Sequence, residues 1–262
     1  MTAVDELIAE VAQALAAAGH VEPHDEACCL VAASQDRRRL DELVARRVDG
    51  EPLEWLLGTV TFCGRPLEID RDVYVPRPQT EELARRAAAS LAAAGRPARA
   101  ADLCTGSGAI AAHLRHEVPT AGVVAVDLDP RAVACARRNG VAAVLGDLGA
   151  ALASASFDVV TVVAPYVPTH ALALLPSDVR RFEPPTALDG GSDGLDVVRR
   201  SVADAGRLLR GSGCVLLELG ADQDEAIAPA LAAAGLDVTA VWHDEDGELR
   251  GLSARRRSGT RP

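Results

Sequence analysis

Apolar residues Val4, Leu7, Ile8, Val11 and Leu15 recur at intervals of three and four, the mark of a helix with one buried face. The same period runs through residues 1–56, with Gly19 closing the first helix and Pro23 opening the next. The period then changes to two. In GTVTFCGRPLEID, Val60 and Phe62 alternate before Gly64-Arg65-Pro66, and Leu67 and Ile69 alternate after it, which predicts a β-hairpin. Two prolines follow in VPRPQTEEL. Thr80 reads there as the N-cap of a helix whose first turn carries Glu81 and Glu82. The hairpin and proline segment mark a junction between residues 1–72, a helical unit with its linker, and residues 73–262.

Beyond the junction, apolar runs of strand length alternate with helical stretches. Strands are predicted at 98–104, 123–127, 141–146, 157–163, 213–219 and 237–242. Such alternation implies right-handed crossovers and a largely parallel sheet covered on both faces, an α/β architecture.

Composition narrows what fills that architecture. Hydrophobic residues make up 48% of the 262 but aromatics only 3%, so the core must be built from Ala, Val and Leu. Lys is absent, and with abundant Ala, Arg and Gly this reflects GC-rich coding more than function. A net charge of −11 disfavours a nucleic-acid partner. The clusters Arg37–Arg39 and Arg255–Arg257 are short and read as a solvated helix face or tail. The acidic start lacks the segments of a signal peptide, and no apolar run reaches the length of a membrane span. Cys28, Cys29, Cys63, Cys104, Cys135 and Cys214 form no C-x-x-C pair and are expected as buried thiols in a reducing cytoplasm. His113 and His116 share a helix face without a third ligand, so no metal site is expected.

The chemistry concentrates in a few stretches. In DLCTGSGAIA, Asp102 to Ala111, Gly106 and Gly108 permit a sharp turn and close backbone approach to a ligand, and the next helix aims its amides there. Alone, the spacing also fits a dinucleotide fingerprint or a plain strand-to-helix turn. Asp127 ends the next strand, 21 residues beyond Gly106, where a carboxylate can accept both hydroxyls of a ribose. Loop and acid together point to a nucleoside-bearing cofactor. Asp147 and Leu148, after the third strand, offer an adenine ring one polar and one apolar side chain, or form an ordinary turn. Ala164-Pro165-Tyr166 leaves the fourth strand beside the glycine loop, where open α/β sheets bind ligands. On the residues alone it fits a strand-exit turn with a packed tyrosine equally well.

Over nearly its whole length the chain resembles the glutamine-amide methyltransferases that modify bacterial peptide-chain release factors, the HemK or PrmC type. EPLEWLLGTVTFCGRPLEIDRDVYVPRPQTEEL is similar to that family's linker and its Pro-Arg-Pro-Glu-Thr-Glu signature, with Gln79 in place of the first Glu. DLCTGSGAIA and VVAVDLDPRAVACARRN resemble its S-adenosylmethionine loop and ribose strand. LPSDVRRFEPPTALDGGSDGLDVVRR resembles the segment after its catalytic motif, and LLELGADQ its fifth strand. The resemblance implies a class I S-adenosylmethionine-dependent methyltransferase domain, Rossmann-like, behind a small helical N-terminal domain, with LRGLSARRR as an antiparallel C-terminal strand. It implies S-adenosyl-L-methionine held by Cys104, Thr105, Gly106, Ser107 and Gly108, with Asp127 at the ribose, Asp147 and Leu148 at the adenine, and Val163 at the edge. The family's catalytic Asn-Pro-Pro-Tyr falls on Val163, Ala164, Pro165 and Tyr166. An Asn-Ala-Pro-Tyr-Val-Pro-Thr form occurs in an actinobacterial branch, which Ala164 to Thr169 matches and Val163 does not.

In the family, the motif's Asn oxygen and a backbone carbonyl accept the two hydrogens of the substrate amide and so aim its nitrogen at the sulfonium methyl. Val163 keeps a carbonyl and lacks the side-chain acceptor. One unsatisfied buried donor costs roughly 1–3 kcal/mol, about 5- to 150-fold in rate when felt in the transition state. Asn139, the only asparagine, precedes Gly140 and reads as a helix C-terminus. The expectation is therefore a cytoplasmic methyltransferase of this kind, acting on a release factor-like protein or on an altered small-molecule amine, hydroxyl or carboxylate. A cofactor-binding protein without turnover is the second reading. A nicotinamide-dependent oxidoreductase, permitted by the glycine loop alone, is the third.

Overall fold

The computed structural model describes residues 2–94 and 97–257. Helices α1 (Ala3–Ala17), α2 (Pro23–Ala33), α3 (Arg37–Val48) and α4 (Leu53–Leu57) come first. A capping box starts α1: Thr2 Oγ1 accepts from the Asp5 amide, and the Asp5 carboxylate accepts from the Thr2 amide. Leu15, Leu30, Leu40, Leu43 and Leu56 close a small apolar core between these helices. Gly58 ends α4 at φ 72°, a left-handed turn that launches the hairpin β1 (Thr59–Phe62) and β2 (Arg65–Glu68).

α5 (Thr80–Ala92) departs from expectation at its start. Gln79, not Thr80, holds the N-cap position, and Thr80 lies buried in the first turn. Its hydroxyl donates to Glu218 at 2.6 Å, a long-range partner that wins over the local cap.

The alternating region builds a seven-stranded sheet among the described residues. In chain order it contains β3 (Arg99–Leu103), α6 (Ala109–Glu117), β4 (Gly122–Asp127), α7 (Pro130–Arg138), β5 (Ala143–Leu145) and β6 (Phe157–Val162). Then come α8 (Ser177–Phe182), α9 (Asp196–Leu208), β7 (Leu209–Glu218), α10 (Gln223–Ala233), β8 (Leu236–His243) and β9 (Leu249–Arg256). The order across the sheet is β5-β4-β3-β6-β7-β9-β8, with β3 to β7 parallel and β9 antiparallel to both neighbours. This is the class I methyltransferase arrangement, and LRGLSARRR supplies its antiparallel strand. Leu83, Leu91, Leu114 and Val133 pack on one face, and Val198, Val202, Leu208 and Ile227 on the other.

β7 begins earlier than its apolar run. Leu209 pairs with Phe157 and Cys214 with Val159, so residues 210–213 stand opposite Asp158 alone. Gly213 makes that bulge possible, since a Cβ there would lie 3.0 Å from the Asp158 carbonyl oxygen. Arg255 and Arg257 are solvated as expected, but they flank the end of a strand rather than lie in a tail. Strand alternation turns Arg256 inward, where Nη1 donates to the Leu209 carbonyl at 2.5 Å. Arg37–Arg39 is solvated and paired with Glu10, Asp41 and Glu42.

Only Cys135 and Cys214 are fully buried, and Cys29 is exposed. The inward face of α2 is set by Ala27 and Leu30, which leaves Cys29 on the far side. Apolar packing also continues across residue 72. Trp55, Val60, Ile69 and Val73 pack on Ala132 and Cys135 of α7, and Trp55 Nε1 donates to the Val73 carbonyl at 2.9 Å. No described helix is long and apolar enough to cross a membrane.

Candidate active site

The carboxyl ends of β3, β4, β5 and β6 open into a cavity of about 1000 Å³. Its floor is the loop after β3. Cys104, Gly106 and Gly108 adopt φ of 57°, 55° and 81°, three left-handed positions that fold the backbone tightly. The loop is anchored from below by Asp102, which accepts from Thr105 Oγ1 at 2.5 Å and from Thr161 Oγ1 at 2.7 Å. Burial pushes the Asp102 carboxyl up to about 6 in spite of both donors.

Asp127 fastens the loop from the side. One carboxylate oxygen accepts from the Gly106 amide at 2.8 Å, the other from the Asp129 amide at 2.9 Å. Each oxygen keeps a further lone pair for a ligand. Burial raises this carboxyl as well. Cys104, Thr105, Gly106 and Ser107 line the cavity, and burial pushes the Cys104 thiol up. Gly108 is not in the lining. It starts α6, and a Cβ there would lie 2.9 Å from Ala136 Cβ, so a glycine permits the close approach of α6 to α7.

Leu148 lines the far wall, buried, at φ 48°. Asp147 lines it too, but its carboxylate is turned to Arg200 at 2.6 Å. Sequence reasoning missed Leu128, which is 71% exposed and lines the cavity beside Asp127. Its signal was an apolar residue directly after a strand-end acid.

Val163, Ala164, Pro165 and Tyr166 form the opposite wall. The carbonyl oxygens of Val163 and Ala164 accept no hydrogen bond from the described residues. Tyr166 is held at both ends: its hydroxyl donates to Glu218 at 3.0 Å, and its carbonyl accepts from Gln223 Nε2 at 2.9 Å. Glu218, 2% exposed, therefore joins Thr80 to Tyr166, and burial raises both its carboxyl and the tyrosine hydroxyl. Gly190 packs behind the turn, where a Cβ would lie 2.6 Å from the Pro165 carbonyl oxygen. None of these supports was foreseen, because each partner lies far off in sequence.

The proline segment closes the front with Tyr74, Arg77 and Gln79. Arg77 pairs with buried Glu183 and lies 4.9 Å over the Tyr74 ring. Burial pushes Tyr74 up to about 12. Asn139 ends α7 as expected and does more. Its Nδ2 donates to the Ser107 and Glu68 carbonyls at 2.9 and 2.8 Å, and its Oδ1 accepts from the Glu68 amide at 2.8 Å. The hairpin is thereby strapped to the cavity floor.

The cavity offers what a nucleoside with an amino-acid tail would cover. Ser107 Oγ is buried with no hydrogen-bond partner, and Leu128 is bare. A methyltransferase domain model matches residues 100–182. A release factor glutamine methyltransferase of Geobacter sulfurreducens is 37% identical over 81% of this chain and 76% of its own length. One of Deinococcus radiodurans is 38% identical over 82% and 78%. Among solved structures, the hMettl16 catalytic domain superposes with a TM-score of 0.58 at 16% identity, covering 86% of this chain and 83% of its own. TYW2 of M. jannaschii, solved with AdoMet, gives 0.51 at 12% identity over 75% and 72%. Those structures share the fold, whereas the closer sequence relatives fix the lineage. The chain belongs to the family of release factor glutamine methyltransferases and is an S-adenosylmethionine-dependent methyltransferase.

Proposed function

We propose that this methyltransferase acts on a side-chain amide nitrogen of a protein, a glutamine of the release factor kind that its relatives' names describe. The observation that carries this reading is the carbonyl edge at Val163 and Ala164, where neither oxygen is claimed by the described residues and one of them can take an amide hydrogen. A primary amide has two hydrogens to place, a hydroxyl only one, and a carboxylate none.

Bound S-adenosylmethionine would supply a methyl group on a sulfonium, a leaving group able to take the C–S electron pair as a neutral thioether. The amide lone pair forms the N–C bond, and one amide proton passes to water. The chain's part is orientation. In this reading Asp127 holds the ribose hydroxyls, Leu128 and Leu148 flank the adenine, and Ser107 with the Thr105–Gly106 backbone meets the amino-acid end. The turn at Val163 to Tyr166 aims the nitrogen.

Residues 1–72, in the same reading, shape access of the protein substrate. Asp49, at the end of α3, pairs with Arg181 of α8 at 2.7 Å, and the adjoining Pro176 and Val179 line the cavity. The helical unit thus grips one of the cavity's walls.

A labelled-methyl assay against a release factor and a small-molecule extract tests the proposal. The parent is expected to methylate the glutamine slowly, and Val163→Asn to gain about tenfold or more, since one transition-state hydrogen bond is worth about 1.4 kcal/mol or more. Label on a small-molecule carboxylate or hydroxyl, with none on the release factor from either protein, would overturn it.

A further inference from the structure

We infer that Gln79 is a positioning residue for the methyl acceptor: its side-chain amide takes the substrate N–H for which Val163 offers no side-chain partner. The inference rests on the amide reading above. Gln79 holds the N-cap position of α5 yet makes no capping hydrogen bond. Its half-buried side chain lines the cavity, and its amide has no partner among the described residues.

The strand register brings the start of α5, where it sits, to the same part of the cavity wall as Val163. Val162 pairs with Leu217, so Val163 stands next to Glu218 on the adjacent strand, about 4.8 Å away by ordinary strand spacing. Cys214 and Leu216 belong to the apolar cluster under α5, and Val163 packs on that cluster. Alternation therefore turns Glu218 to the same face, toward the start of α5. Its Oε2 accepts from Thr80 there at 2.6 Å, and Gln79 is the preceding residue. Because Tyr166 donates to the other oxygen of Glu218, the Gln79–Thr80 corner and the catalytic turn are fixed to one carboxyl. Gln79 thus adjoins the residue that shares Glu218 with the turn.

A glutamine suits this place chemically. Its Oε1 accepts one N–H of the substrate amide while its Nε2 donates to the substrate carbonyl, a reciprocal two-point contact. The second N–H is left for the Val163 or Ala164 carbonyl. Gln79 enters no covalent step. It restricts rotation of the acceptor about its terminal bond, which favours the in-line approach.

The test measures kcat and KM for a release-factor glutamine substrate, with cofactor affinity as a check on the fold. Gln79→Leu is expected to lower kcat about tenfold or more at unchanged cofactor affinity. Gln79→Glu, which keeps an acceptor oxygen, is expected to recover part of that loss. The penalty of Gln79→Leu should shrink severalfold in the Val163→Asn background, where a second acceptor is present. An effect of less than twofold, or the same penalty in both backgrounds, would overturn the role of Gln79 and leave the amide reading standing. Absence of glutamine turnover by the parent and by Val163→Asn, with cofactor bound normally, would overturn the amide reading and this inference together.

Discussion

Asp102 carries a carboxyl that water does not reach, clamped between two threonine hydroxyls under the cavity floor. Its folded-state value of about 6 lies above the ordinary 3.8, so the folded protein holds this proton more tightly than the unfolded chain. That contribution to stability is fully present below about pH 3.8 and is lost as the pH rises through about 6. Asp102→Asn has no such proton. Denaturant unfolding at pH 4, 5, 6 and 7 should show the parent losing more stability across the series than the variant. The difference should grow by about 1.4 kcal/mol for each pH unit that separates the folded from the unfolded titration midpoint. Glu183 and Glu218 are raised by burial too but are common to both proteins, whereas Asp127 repels the Asp102 charge and belongs to the same effect. Parallel curves would show that Asp102 is not the group responsible. The sequence made Asp102 visible as the opening of a motif. It did not reveal the clamp, because Thr161 stands 59 positions away and meets Asp102 only once β6 has paired with β3.

The hairpin is strapped to the cavity floor by the side chain of Asn139, whose amide spans from β2 to the carbonyl of Ser107. Asn139→Ala would leave the Glu68 amide and carbonyl and the Ser107 carbonyl without that partner. We expect a stability loss of about 1–3 kcal/mol in thermal unfolding, together with a severalfold weaker cofactor affinity by calorimetry. Lower stability with unchanged affinity would confine the strap to a structural role. Strands and helices were readable wherever an apolar run or helical period was long, and each predicted strand exists. What escaped the reading were ends and corners. The start of β7 is set by a bulge that forms only against Asp158, and Thr80 turns from cap to core because a buried carboxyl awaits it. Local propensity decides where an element lies, and distant partners decide where it stops.

The architecture as a whole was predictable from the alternation of strand and helix, and the lineage from its motifs. The contact that binds the helical unit to the cavity wall was not, since no motif marks Asp49 or Arg181. The order of the strands has one more consequence. Among the described residues β8 is hydrogen-bonded to the sheet only through β9, and β9 lies between β7 and β8. A polypeptide emerging from the ribosome has β7 and β8 in hand before the segment that must separate them exists. Until residues 249–256 are made, the apolar rim Cys214-Val215-Leu216-Leu217 has no strand on its outer side, an invitation to pair with another nascent chain. A polypeptide stopped at Asp244 should accordingly be recovered in the pellet or in complex with a chaperone, while the full chain remains in the supernatant; equal recovery of both would mean that α10 alone shields the rim. The fold is finished by threading its last strand into a gap, and its hazard during synthesis is greatest just before that moment.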